Sequence, residues 1–343
     1  MSSRTPSRRA VVLGTGGSLG YAWTVAALST WQQATGIDAR DADVVVGTSA
    51  GSIVASALAS GVAVDDLVEH LLDAPSRPSS NRKPRRRGAR GGLPPLPRFG
   101  PGSVRLLGRI AQAPARFPPL AAASALLPVG RADTSGVVRL VSSFASEIWP
   151  APPDAPELRI VATDYDSGDR VPFGRAGAPP TSPAEAAAAS CAVPGWFAPV
   201  RIAGRRYVDG GVCSATSADL LLGPDMPPLD EALVLVPLAR RGRVRLTGAG
   251  AAADGLFRGI VGGRSAREIA RLRTAGVRVT AHAPGPEERA AMGWNVMDAR
   301  KQGDVLRTAL RTTAAWWARK DRDHRASGAS GATGPDIQAE GHE

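Results

Sequence analysis

The chain has 343 residues, a formal charge of +11 from 42 Lys and Arg against 31 Asp and Glu, and 43% hydrophobic residues. That apolar share supplies the core of one large α/β domain or two small ones and excludes a chain too polar to fold, while no stretch reaches the roughly 18 consecutive apolar residues that span a bilayer. The two cysteines, Cys191 and Cys213, are too few for a disulfide framework and lack partners for a metal site.

Residues 1–8 are polar and basic and read as a flexible lead. The glycines that begin at Gly14 interrupt any signal-peptide core, so a cytoplasmic protein is expected. Ala10-Val11-Val12-Leu13 reads as a strand. A helix is expected from Tyr21 to about Gln33, where Trp23, Ala27, Leu28 and Trp31 recur at helical spacing. Between them, Gly14-Thr15-Gly16-Gly17-Ser18-Leu19-Gly20 leaves the N–H groups of Gly16, Gly17 and Ser18 at a helix start, where they can hold an anion. Around a developing oxyanion such fixed donors are worth ~3 kcal/mol each. A dinucleotide-binding turn competes for the same loop. Its third glycine would fall on Leu19, however, and the next strand ends in Gly47-Thr48-Ser49 where a ribose-binding acid belongs, so a nucleotide-dependent oxidoreductase is the weaker alternative.

Val44-Val46 reads as the second strand and residues 52–59 as a helix, with Gly47-Thr48-Ser49-Ala50-Gly51 between them. This is a G-x-S-x-G nucleophile elbow in its strand-turn-helix setting. Gly47 and Gly51 give the turn room, and Ser49 is lifted out of the sheet as a candidate acyl-transfer nucleophile. Only one strand-helix unit precedes Ser49, too early in the chain for an α/β-hydrolase.

A helix is expected over residues 64–72, carrying His70. Residues 74–103 are rich in Pro, Gly and Ser and read as a mobile insertion carrying Arg82, Lys83, Arg85, Arg86, Arg87 and Arg90. No aromatic residue interleaves with these cations before Phe99, so nucleic acid is not the expected partner. Two readings of the cluster remain: peripheral contact with an anionic membrane at the inner face, or a solubilising loop without a partner. The apolar, alanine-rich residues 104–127 read as a lid or as core packing. Residues 185–192 read as a short helix.

Arg206-Tyr207-Val208-Asp209-Gly210-Gly211-Val212 sets one carboxylate at the end of a short strand. Gly210 and Gly211 behind it allow close backbone approach, so Asp209 is the candidate base for Ser49; a plain Asp-Gly turn is the competing reading. Residues 232–237 form an unbroken apolar run, as in a buried parallel strand. Residues 264–273 and 299–318 read as helices, and 321–343 as a disordered tail. Of the four histidines only His282 is placed to complete a Ser-His-Asp triad, and its strand-to-loop setting favours a solvated or structural role.

The glycine-rich loop, the early elbow and the distant Asp-Gly-Gly, in that order, resemble the patatin-like phospholipases. Residues 188–200, residues 162–168 and, more loosely, 293–298 look like the same family. The resemblance implies a three-layer α/β/α fold with a mostly parallel central sheet over residues 9–320. It also implies a Ser49-Asp209 dyad, an oxyanion loop at Gly16, Gly17 and Ser18, and hydrolysis of acyl esters of lipids or phospholipids without metal or organic cofactor. Two residues depart from the usual family loop: Thr15 stands for a glycine and Leu19 for an arginine. A catalytically silent, basic lipid-binding or regulatory protein that keeps the fold is the alternative.

Overall fold

The computed structural model describes residues 7–73, 99–150, 155–240 and 249–326. In chain order the first elements are β1 (Arg9–Leu13), α1 (Gly17–Thr35), β2 (Val44–Thr48), α2 (Ala50–Ala59), α3 (Val64–Asp73), α4 (Val104–Gln112), α5 (Pro119–Leu126) and α6 (Ser135–Ser142). They are followed by β3 (Glu157–Asp164), β4 (Arg170–Phe173), α7 (Pro183–Ser190), β5 (Val200–Ile202), β6 (Arg205–Asp209) and β7 (Glu231–Leu235). The chain continues through α8 (Ala249–Thr274), β8 (Arg278–His282), α9 (Pro286–Met292) and α10 (Gln302–Ala326).

Period-two alternation of apolar residues sorts the layers. Val11 and Leu13 of β1, Val45 of β2 and Leu233 and Leu235 of β7 enter one cluster with Trp23, Leu28, Val54, Leu58 and Leu306. Ala10, Val12, Val44, Val46, Ala232 and Val234 enter another, with Ile269 and Leu272 of α8. Both faces are therefore buried, as a parallel sheet requires when helices cover each side. Strands link in the order β5-β6-β3-β2-β1-β7-β8, with β4 also on β3. The β3-β2-β1-β7-β8 portion is parallel, and β4, β5 and β6 add antiparallel pairings at one side.

Register explains how two distant segments meet. Ile160 of β3 pairs with Gly47 on one edge and Phe173 on the other, whereas Ala162 pairs with Asp209 and Val171. Since β4 holds one edge from Ile160 to Thr163, β6 must take over the edge that β2 leaves at Thr48. Asp209 thus arrives end-on to the turn that follows β2.

Several boundaries differ from the sequence reading. α7 begins at Pro183 rather than residue 185, because Ser182 and Glu185 form a capping box with Pro183 in the first turn. α8 starts at Ala249, well before residue 264, through an Ala- and Gly-rich stretch that has no helical periodicity to read. α10 continues through Ala326, past the point where the tail was expected to begin, and Lys320 lies over the Trp316 and Trp317 rings at 5.0 and 5.8 Å. Residues 1–6, 74–98, which include the whole Arg82–Arg90 cluster, and 327–343 lie outside the described residues. The remainder of the expected insertion is seated: Gly102 N–H donates to Ala125 O, and Ser103 caps α4.

Residues 104–127 pack in part on the core, and none of them lines the cavity beside Ser49. Leu106, Ala121 and Ala125 pack with Tyr165, Val208 and Val212 behind the Asp209 strand, while Val104, Leu126 and Leu127 remain exposed. Among the described residues no helix is long and apolar enough to cross a membrane.

Candidate active site

Ser49 sits between β2 and α2 with φ 54° and ψ −124°, a conformation that costs a non-glycine residue about 1–3 kcal/mol. The turn is held tight from both sides. A Cβ on Gly47 would lie 2.6 Å from Ser52 Cα, and one on Gly51 would lie 2.0 Å from Leu13 O, so neither position admits a side chain. Ser52 N–H and Oγ–H both donate to Ser49 O, at 2.8 and 2.6 Å. Ser190, at the end of α7, accepts Ser49 N–H on its Oγ at 2.7 Å and donates to Val161 O at 2.6 Å, tying the elbow to β3.

Asp209 is buried beside this turn. Its backbone N–H donates to Ala192 O, its carbonyl accepts from Thr163 Oγ1, and its Oδ1 accepts Gly211 N–H at 2.7 Å. Gly210 must be glycine for the chain to pass β3, since a Cβ there would lie 2.3 Å from Val161 O. Burial raises the Asp209 pKa to about 6, opposed by the Ser49 hydroxyl and by Gly211 N–H. The Ser49 hydroxyl is thus near enough to act on the carboxyl, although Oδ2 has no partner of hydrogen-bonding geometry among the described residues.

The glycine loop wraps the same point. Gly14 N–H and Thr15 N–H are spent on Leu235 O and Ala215 O, and Leu19 N–H on Val296 O. Among the described residues no acceptor engages the N–H groups of Gly16, Gly17 or Ser18. These three therefore form an unspent donor set at the start of α1. A cavity of about 290 Å³ opens here, with Gly17, Ser18 and Ser49 on one wall and Ile53, Leu140 and Phe197 among its apolar lining.

A family profile described as patatin-like phospholipase matches residues 11–222. The chain belongs to the patatin-like phospholipase family. Its architecture, a mostly parallel central sheet flanked by helices, is the patatin fold. The chain is similar to the crystal structure of VipD from Legionella pneumophila, at 15% identity and TM-score 0.35, covering 90% of this chain and 67% of that one. It is also similar to the type III effector protein ExoU, at 16% identity and TM-score 0.34, covering 92% and 54%. The ExoU–SpcU heterodimeric complex from Pseudomonas aeruginosa aligns at 20% identity and TM-score 0.29, covering 95% and 60%. The chain therefore spans little more than half the length of the ExoU structures. No curated protein sequence matches it.

The two departures from the usual patatin loop have separate outcomes. Thr15 spends its N–H on Ala215 O and turns its side chain toward Gly211, while Leu19 points into the core and is fully buried. Neither removes a donor from the Gly16, Gly17 and Ser18 set. His282 ends β8, with β7 and β1 between it and β2, and its ring lies 5.4 Å from Trp23, 4.2 Å from Trp316 and 5.7 Å from Trp317. It is buried among aromatic rings, a structural rather than a solvated histidine. Cys191 and Cys213 are free and buried, and desolvation pushes the Cys191 thiol far up.

Sequence reasoning missed Ser190, although it falls inside a stretch that looks like the family, and missed that Val296 and Met297 brace the glycine loop. Two larger cavities lie elsewhere. One of about 540 Å³ borders Arg9, Glu231 and Arg278 at the opposite strand ends, and one of about 420 Å³ lies on the far side of Gly211. The smallest of the three is the one open to Ser49, and we assign the site to it on that ground.

Proposed function

We propose that this protein hydrolyses acyl esters of lipids or phospholipids with Ser49 as nucleophile and Asp209 as its only side-chain base. The observation that carries the reading is a serine in a strained elbow that lines one apolar cavity together with Gly17 and Ser18 of the unspent donor set, with the buried Asp209 carboxyl, its Oδ2 unpartnered among the described residues, behind it.

Ser49 Oγ attacks the ester carbonyl carbon while its proton passes to Asp209 Oδ2. The carbonyl π pair moves onto oxygen, where the N–H groups of Gly16, Gly17 and Ser18 stabilise the anion. Collapse breaks the bond to the leaving alkoxide, which takes the proton from Asp209. Water then attacks the acyl-serine, again giving a proton to Asp209, and collapse returns that proton to Ser49 as the carboxylic acid leaves. A carboxylate is a weak base toward an alcohol. Desolvation that lifts Asp209 to about 6 supports this role by narrowing the gap. The apolar cavity suits an acyl chain, and the family match supports lipid rather than peptide esters.

The test is turnover across p-nitrophenyl esters, lysophospholipids, phospholipids and acylglycerols. Activity on acylated lipids that disappears in Ser49→Ala, with an unchanged circular dichroism spectrum, is the expected result. A folded parent protein inert on every ester would instead support the silent lipid-binding reading.

A further inference from the structure

Beyond the Ser49 cavity, the pocket of about 420 Å³ on the far side of Gly211 has an unusual lining. Arg116, Arg170, Arg264 and Arg267 face it, against a single carboxylate, Asp169. Arg170 is used up: it forks onto Asp219 with bonds of 2.6 and 2.9 Å. Arg116 gives one contact to Asp169 at 2.9 Å. Arg264 gives only its Nε to Glu268, at 3.3 Å, and that carboxylate already accepts from Ser214, Thr216 and the Ala218 N–H. Arg267 makes no ion pair among the described residues.

Arg116, Arg264 and Arg267 thus line one half-enclosed space with guanidinium donors left over from their pairings among the described residues, and Arg264 and Arg267 also border a smaller recess with Asp219 and Glu268. The field there is positive even after local pairing. Burial works to raise the Asp219 pKa, yet the Arg170 hydrogen bond and the charges of Arg170 and Arg264 hold it below the ordinary value. Guanidinium forks match the geometry of tetrahedral oxyanions and bind them through charge-assisted hydrogen bonds. The space is too small and too poor in aromatic surface for a nucleic acid strand, and Arg264 and Arg267 both belong to one helix, α8.

We propose that this cavity is an anion site that takes a phosphoryl group through Arg264 and Arg267, with Arg116 at its rim. It shares no lining residue with the Ser49 cavity, and so goes beyond the hydrolase reading. The two are nevertheless joined by backbone. Gly211, which holds Asp209 Oδ1, and Ala215, whose carbonyl holds Thr15 N–H, both line the arginine cavity. The phosphoryl group belongs either to a lipid headgroup or to a free phosphate compound.

Isothermal titration of the full chain at constant ionic strength, with inorganic phosphate and with hexyl phosphate as probes, tests this. Neither probe has an acyl ester, so the result stands whether or not Ser49 is a nucleophile. Saturable binding of phosphate is expected, weakened ~10-fold in Arg267→Gln, as loss of one charge-assisted bond implies, and also weakened in Arg264→Gln. Arg278→Gln, at the opposite strand ends, controls for lost charge and should bind as the parent does. Arg267 has no ion-pair partner to orphan among the described residues, so its variant remains informative if Arg264→Gln fails to fold. Tighter binding of hexyl phosphate than of inorganic phosphate identifies a lipid headgroup, and equal binding a free phosphate compound. Absence of saturable phosphate binding, or equal affinity in the parent and Arg267→Gln, overturns the proposal.

Discussion

As the proposed base, Asp209 serves two opposed demands, since the burial that would make it a better base also makes its charged form costly. Its pKa of about 6 places the charge change close to neutral pH, so kcat/KM on a soluble ester should rise with pH through about 6 and level off above it. A profile flat from pH 5 to 8 would remove Asp209 as the base. Stability follows the opposite course. A carboxyl whose folded pKa is raised binds its proton more tightly when folded, so its contribution to stability is fullest below about 4 and declines as pH rises through its folded value. Asp209→Asn should therefore lower turnover by ~100-fold or more. It should also unfold at a higher temperature than the parent at pH 8, by up to roughly 3 kcal/mol of stability, with the gain vanishing near pH 4. Ser190 acts through Ser49. Ser190→Ala leaves Ser49 N–H without its acceptor and should cost about 1–3 kcal/mol of stability. It should also lower kcat ~10-fold with KM unchanged, because the elbow loses its tie to β3; an unchanged kcat would limit Ser190 to packing. Ser49 was legible in the sequence because the steric demands of an elbow are local. Ser190 was not, because its hydrogen bond joins positions 141 residues apart.

Among the elements, the elbow depends on close contact between β1 and α2. Gly51 meets Leu13 O where a Cβ would lie 2.0 Å away, in backbone that cannot yield. Gly51→Ala should therefore lose several kcal/mol, on the order of the larger overpacking penalties, and give insoluble protein or a sharply lowered melting temperature. A soluble Gly51→Ala variant with parental stability would show that α2 is free to move off β1. The strand assignments at β1, β2 and β7 were readable because buried parallel strands are continuous apolar runs. The handover of one β3 edge from β2 to β6 was not readable. It is fixed by pairings between residues far apart in sequence, yet it is what carries Asp209 to Ser49. The first half of α8 escaped for a different reason: Ala and Gly carry little hydrophobic pattern to betray a helix.

For the whole molecule, the excess positive charge and the arginine cluster at Arg82–Arg90 bear on where the protein works. If the cluster meets an anionic bilayer, each cation contributes up to ~1 kcal/mol, screened over a length of ~8 Å at physiological salt. Deleting residues 80–92 should then reduce sedimentation with anionic vesicles and flatten its salt dependence. Turnover of a soluble ester should be retained. Equal sedimentation of the deletion and the parent across a salt series would leave the cluster as a solvated loop. The central claim, that Ser49 is an activated nucleophile paired with Asp209 alone, is reached most directly by treating the full chain with a fluorophosphonate and mapping the adduct by mass spectrometry. We expect a single adduct on Ser49, lost in Ser49→Ala, strongly slowed in Asp209→Asn and retained in a folded His282 variant. An unlabelled Ser49 in folded protein, or labelling that survives Asp209→Asn at the parental rate, would contradict it.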